Sequence, residues 1–162
     1  LGNLLLGLLQ DPVQLNAVRD DRSLIPQAIE EGVRWEPPLL TITRTATCDT
    51  ELGGVPIPAG SSVMPMLGAA NRQEDRYPDP DRFDPDRFEP QRVRERPAGL
   101  YKPFGTGERA CIGRQFALHE AVLLLASIVR RYDLIIDPRY QLTVLERPTQ
   151  LPRRFRLGLR RR

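Results

Sequence analysis

The chain has 162 residues, 40% hydrophobic and 28% charged, a length suited to about one domain and a composition that excludes a disordered charged tail or a coiled coil. Its 24 Lys and Arg against 21 Asp and Glu give a net charge of +3, yet six arginines (Arg153, Arg154, Arg156, Arg160, Arg161 and Arg162) crowd the last ten residues. Without that tail the balance is acidic, so a spread-out basic face for nucleic acid is not expected.

Leu1, Leu4, Leu5, Leu8 and Leu9 recur at helical spacing, with Leu6 on a partly second face, so residues 1–10 read as the end of a buried helix. The run is shorter than the roughly 20 residues a membrane span needs and lacks signal-peptide flanks, so no membrane anchor is expected. It begins without Met and without a cap, which reads as a cut end or a misplaced start. Asp11 and Pro12 supply a cap and first turn for a short helix through Val13, Leu15 and Val18. Ser23 and Pro26 open a third helix near 24–35, striped by Ile25, Ile29 and Val33 and stopped by Pro37 and Pro38.

Residues 39–66 read as a small sheet, β-branched from Leu39 to Thr47 and turned at Gly53-Gly54 and Pro58-Ala59-Gly60. From 71 to 103 the chain is rich in Pro, Asp and Arg and reads as irregular backbone whose Tyr77, Phe83 and Phe88 pack onto something. A glycine-punctuated loop (104–113) precedes a strong helix over 114–131, with an expected buried stripe of Phe116, Ala117, Ala121, Leu124, Leu125 and Ile128. Within 140–159, Tyr140 to Leu145 and Phe155 to Leu159 alternate like two strands joined through Pro148 and Pro152. The fold class is α+β, mainly α with small β-sheets.

Chemistry concentrates in Phe104-Gly105-Thr106-Gly107-Glu108-Arg109-Ala110-Cys111-Ile112-Gly113. Gly105 and Gly107 permit backbone conformations closed to other residues, so the loop can curl tightly around Cys111, which then faces outward from a rigid hook in a loop expected not to be exposed. Gly113 has no side chain to hold off a flat ligand, and the helix behind it turns its positive dipole end toward the sulfur. With no second Cys and no His nearby, the four ligands of a closed zinc site are missing, and a single protein ligand suggests that a macrocycle supplies the rest. The two cysteines sit in contexts too different for a disulfide framework and fit a reducing compartment, hence a cytoplasmic location. Cys48 reads as a small packed side chain, Trp35 as core and His119 as an ordinary helix residue, and the terminal arginines as a fraying end. Glu31 and Arg34 stand three apart on a helix: on an exposed face their pair is worth about 0.2–0.5 kcal/mol, whereas if buried, loss of one partner costs about 3–5 kcal/mol.

The loop matches Phe-x-x-Gly-x-Arg-x-Cys-x-Gly at every fixed position and resembles the Cys-ligand loop of the cytochrome P450 family, the heme-thiolate monooxygenases. Glu31-Gly32-Val33-Arg34 resembles that family's Glu-x-x-Arg helix, and Pro85-Asp86-Arg87-Phe88 its meander. The resemblance implies heme (iron protoporphyrin IX) with Cys111 as axial thiolate and metal ligand. It implies Arg109 and Arg44 on the propionates and Phe104 beside the sulfur. Gly105, Gly113 and Ala117 would then lie against the cofactor, and Glu31, Arg34 and Arg87 would form a cluster that locks the meander behind the loop. For Arg44 an exposed strand charge stays open as the alternative.

The resemblance spans essentially the whole chain but corresponds to the C-terminal, proximal part of the family's fold, with the distal helix upstream of Leu1. What it implies is the heme-binding part of a monooxygenase that inserts one oxygen atom of O2 into a small hydrophobic organic substrate, not competent by itself. Leu39 to Thr43 and Thr149 to Leu151 would face substrate, and a ferredoxin or flavin reductase would deliver electrons to a basic proximal surface. Residues 111–133 look most like bacterial fatty-acid hydroxylases fused to reductases, whereas Leu52-Gly53-Gly54 and Ala70-Asn71-Arg72 look more like ferredoxin-dependent soluble members. A noncatalytic heme-binding module and a nonfunctional truncated remnant are the competing readings.

Overall fold

The computed structural model of the chain describes residues 1–141, 143–146 and 149–162. Four helices build the core: α1 (Gly2–Gln10), α2 (Pro12–Asp20), α3 (Ile25–Trp35) and α6 (Arg114–Arg131). The leucine run forms α1 and buries Leu4, Leu5, Leu6 and Leu8. Asp11 caps α2, its carboxylate accepting from the amides of Val13 and Gln14 at 3.0 and 3.3 Å, with Pro12 in the first turn. Leu15 and Val18 are buried as expected, but Val13 is exposed, because in the first turn it lies on the solvent side of the cap. A 3-10 turn, Arg22–Leu24, capped by Asp21 rather than Ser23, leads into α3. There Ile25, Ala28 and Ile29 join the core, and Trp35 closes it edge-on to Phe83 at 5.9 Å.

Helix α6 occupies the expected residues but presents a different face. Leu125 and Val129 are buried, with Leu118, Ala121 and Val122 packed beside them, while Phe116 and Leu124 from the expected stripe are exposed and Ala117 is exposed too. Apolar residues on α6 cover more than one face, so spacing alone fits several stripes; contact with α2 and α3 selects one.

Small antiparallel ribbons surround the helices. β1 (Arg44–Thr45) pairs with β4 (Ser62–Val63), and β2 (Thr50–Leu52) with β3 (Val55–Ile57) through Gly53 and Gly54 at φ 58° and 83°. Two positive-φ residues in a two-residue turn match strand twist, which is why both are glycine. The sheet expected over 39–66 is thus two separate ribbons, and Cys48, expected to be packed, is exposed between them. After α4 (Leu67–Ala70), the irregular segment contains a 3-10 turn at Pro85–Phe88 and a short α5 (Pro90–Glu95). Tyr77, Phe83 and Phe88 are buried, as their spacing in a polar segment implies.

The C-terminal part departs most from expectation. β5 (Tyr132–Ile136) follows α6 directly and pairs with β8 (Leu157–Arg161), while β6 (Val144–Glu146) pairs with β7 (Gln150–Pro152). The arginine-rich end is therefore a strand rather than a fraying tail. Asp133 holds it, with Arg160 and Arg162 each at 3.2 Å and Arg19 of α2 at 3.7 Å. The expected link at Pro148 lies outside the described residues.

Candidate functional site

The Cys111 loop is a hook closed by its own backbone. Gly105 and Gly107 take φ of 70° and 65°, the left-handed region that side chains disfavour. From Gly107 a 3-10 turn, Gly107–Arg109, leads toward the cysteine. The Cys111 amide donates to the Phe104 carbonyl at 2.8 Å, fixing the two ends of the hook, and Arg114 donates back to the Cys111 carbonyl at 3.3 Å as α6 begins. Gly113 caps α6, and a Cβ placed on it would sit 3.9 Å from the Cys111 sulfur, so the glycine leaves the approach to sulfur flat. Phe104 is half-buried and its ring lies 5.9 Å from the Arg114 guanidinium.

Cys111 faces outward as the hook implies, but the loop expected to be non-exposed is open, and the cysteine is exposed with it. Its neighbours are open too: Ile112 is fully exposed and Phe116 is 74% exposed, so the thiol and two large apolar side chains close to it in the chain are left largely uncovered by the described residues. Arg109 and Arg44 are exposed as well, and among the described residues neither is in an ion pair. Arg44, on β1, spends one N–H on the adjacent Thr43 carbonyl at 3.0 Å. Nothing among the described hydrogen bonds joins it to the loop. His119 Nδ1 donates to the Gln115 carbonyl one turn back, 2.7 Å away, as a plain helix residue does.

Behind the hook the structure brings Glu31, Arg34 and Arg87 together. Glu31 and Arg34 are fully buried and joined by two short hydrogen bonds, Arg34 Nε to Glu31 Oε2 at 2.7 Å and Nη2 to Oε1 at 2.8 Å. Arg87 Nε approaches Glu31 Oε1 at 3.6 Å. The Asp84 amide also donates to Glu31, at 2.8 Å. Burial is the largest influence on this carboxyl and lifts its pKa, opposed by Arg34, the Asp84 amide and Arg87. Arg34 spends its remaining N–H groups on meander carbonyls: Asn71 and Pro80 at 2.8 Å and Arg82 at 3.3 Å. The buried alternative for this pair is the one realised, and it works as a tie between α3 and the meander.

Sequence reasoning missed Tyr101 and Asn71. Tyr101 stands three residues before Phe104 and donates toward Glu30 of α3, whose carbonyl and Oε2 lie at 3.0 and 2.8 Å, anchoring the entrance of the hook to the same helix. The Asn71 side chain donates to the Arg34 carbonyl at 3.3 Å. A lone Tyr and a lone Asn carry no periodicity or motif, and only the approach of α3, dozens of residues earlier, gives them a role.

Among the described residues no three His, Cys, Asp or Glu are grouped to hold a metal ion. What the hook presents is one thiol, an exposed apolar rim and arginines without carboxylate partners. That donor set fits a flat, largely apolar macrocycle that brings its own carboxylates and leaves one axial position to sulfur. No helix among the described residues is long and apolar enough to cross a membrane.

The sequence profile of the family described as Cytochrome P450 matches residues 14–156. Cytochrome P450 107B1 of Saccharopolyspora erythraea is 39% identical over 154 residues, covering 91% of this chain and 36% of the relative. A beta-dihydromenaquinone-9 omega-hydroxylase of Mycobacterium bovis is 37% identical, covering 92% of this chain and 27% of its own length. Among solved structures, the cytochrome P450DA heme domain superposes with a TM-score of 0.90 at 33% identity, covering 99% of this chain and 40% of that one. The chain thus spans about a third of the length of the curated relatives it matches. With the hook, the buried tie behind it and these likenesses agreeing over nearly all of its residues, the chain belongs to the cytochrome P450 family.

Proposed function

We propose that this chain is the proximal, heme-binding part of a P450 monooxygenase, with Cys111 as the axial thiolate ligand. The observation that carries the reading is the hook itself: a bare cysteine on a loop closed at 2.8 Å by Phe104, opening onto an apolar rim. Heme, when bound, supplies the activation of O2 that lets one oxygen atom enter a substrate C–H bond.

The chain's own residues do the holding. The closed loop fixes the direction of the Cys111 sulfur, so ligation needs no rearrangement. Gly113 and Ala117 would leave room for a flat ring, and Phe104 would stand beside the sulfur and limit water there once the ring is bound. Arg109 and Arg44 would hold the propionates by charge-assisted pairs and so would fix the ring's rotation. Leu39 to Thr43 and Thr149 to Leu151 face a small hydrophobic organic substrate. The relatives' printed names, among them an omega-hydroxylase and 6-deoxyerythronolide B hydroxylase, support oxygen insertion as the reaction class. A ferredoxin or flavin reductase donates the electrons, and the cytoplasm is the compartment. The rest of the catalytic chamber comes from the two-thirds of the relatives' length that this chain does not match.

The test is spectroscopic. The chain is mixed with heme, reduced and exposed to carbon monoxide; a thiolate-type absorption band is expected, and Cys111→Ala should lose it. His119 is the sole histidine, so an imidazole-type spectrum would assign ligation to that residue and overturn the reading.

A further inference from the structure

A second concavity lies away from the hook, between the meander and α5. It is a cleft of about 290 Å³ whose walls include Tyr77, Arg87, Arg92 and Arg96, with Asp75 and Glu95 at its edge. Two polar atoms in these walls are buried without a hydrogen-bond partner among the described residues, the Tyr77 hydroxyl and Arg87 Nε, and of these Arg87 Nε already faces the carboxylates of Glu31 at 3.6 Å and Asp84 at 4.0 Å. Tyr77 as a whole is 2% exposed. A buried donor left unmade costs about 1–3 kcal/mol, so the Tyr77 hydroxyl calls for an acceptor.

Charge says what kind of acceptor. Arg96 is held rigidly: its Nη2 donates to the Arg87 carbonyl at 2.7 Å, and its guanidinium lies 4.5 Å from the Phe88 ring centroid, 5.5 Å from Tyr101 and 5.8 Å from Tyr77. Among the described residues it pairs with no carboxylate. The two carboxylates of the lining are engaged, Asp75 with Arg76 of the same cleft at 3.1 Å and Glu95 with the Gln91 amide at 3.1 Å. Of the four arginines on the cleft, Arg76 is paired with Asp75, Arg87 with Glu31 at 3.6 Å and Arg92 with Glu89 at 3.3 Å, which leaves Arg96 as the cation without a carboxylate among the described residues. Burial raises the Tyr77 phenol above its ordinary value, which keeps it protonated and a donor.

We propose that this cleft is a binding site for a small oxyanion, a phosphate group above all, received by the Tyr77 hydroxyl and Arg87 from within and by Arg96 and Arg92 from the sides. Aligned N–H and O–H donors on fixed cations are the usual means of holding such a group. Pro78, Pro97 and Leu100 complete the wall and leave space for a short carbon skeleton on the anion. The site is independent of heme, so it stands or falls apart from the assignment of Cys111.

The test is calorimetric titration of the chain with inorganic phosphate at constant ionic strength, with acetate and chloride as parallel arms and thermal unfolding as a second readout. Saturable binding of phosphate is expected, with chloride inert; acetate binding as tightly would assign the site to carboxylates instead and overturn phosphate as the ligand. Tyr77→Phe keeps the ring under the guanidiniums and removes one donor, and it should weaken binding about tenfold or more. Arg92→Gln, at a side chain 56% exposed, keeps the fold and should weaken binding less. Equal stabilisation by chloride, phosphate binding unchanged in Tyr77→Phe, or a hydroxyl satisfied by water with no heat of phosphate binding would each overturn the proposal.

Discussion

Glu31 shows how much a single side chain depends on its neighbour. Its charge is tolerated with no exposure because Arg34 meets it with two hydrogen bonds and the Asp84 amide with a third. Arg34→Ala would leave that carboxylate uncompensated and three meander carbonyls without a donor. Denaturant titration should show a loss of about 3–5 kcal/mol, against the few tenths expected of an exposed pair. The three-residue spacing was readable in sequence; the burial that decides the magnitude was not, because it comes from Asn71, Pro80 and Arg82 arriving from far along the chain. Tyr101 carries a second consequence. Burial, with the Glu30 carboxylate next, holds its phenol well above the ordinary value. The folded chain keeps a proton that the unfolded chain sheds above about pH 10, so stability should fall as pH climbs past that point. Tyr101→Phe should flatten this alkaline decline in melting temperature between neutral pH and strong alkali.

At the scale of elements, α1 lies so close to the meander that only glycine fits at residue 7. A Cβ there would come within 2.5 Å of the Phe83 ring. Ala is favoured over Gly in a helix by about 1 kcal/mol, but forcing Phe83 away from Trp35 costs about 1–3 kcal/mol. Gly7→Ala should therefore destabilise on balance, and thermal unfolding measures the sign. The helices were readable because caps, prolines and spacing mark them: Asp11 with Pro12, and the glycine before α6. β5 was hidden because Tyr132 to Ile136 continue from α6 with no Gly or Pro to mark the change. Of β8 the stretch up to Leu159 was expected as strand, and only its Arg160-Arg161 end was hidden, because arginines resemble a solvated end until Asp133 is opposite them. The Cys111 hook was legible residue by residue, since its glycines answer to backbone geometry; the cysteine's exposure was not, because that depends on what stands in front of it.

On the scale of the whole molecule, the helical core is complete on one side and apolar residues are uncovered on the other. Ile112, Phe116, Leu123 and Leu124 are all exposed near or along α6. Grouped exposure of this kind marks a surface that another body covers. An apolar fluorescent dye should bind the free chain, and heme should displace part of it in the parent chain but markedly less in Cys111→Ala. The tie between α3 and the meander has an effect in time as well as in energy. Segments drawn as coil normally exchange their backbone deuterons freely, because they open without disturbing anything else. Here the Asp84 amide is bonded to a carboxylate on α3 and the carbonyls of Asn71 and Pro80 to a guanidinium on the same helix. Opening that stretch means detaching it from α3, so a segment without regular secondary structure shares the lifetime of the core.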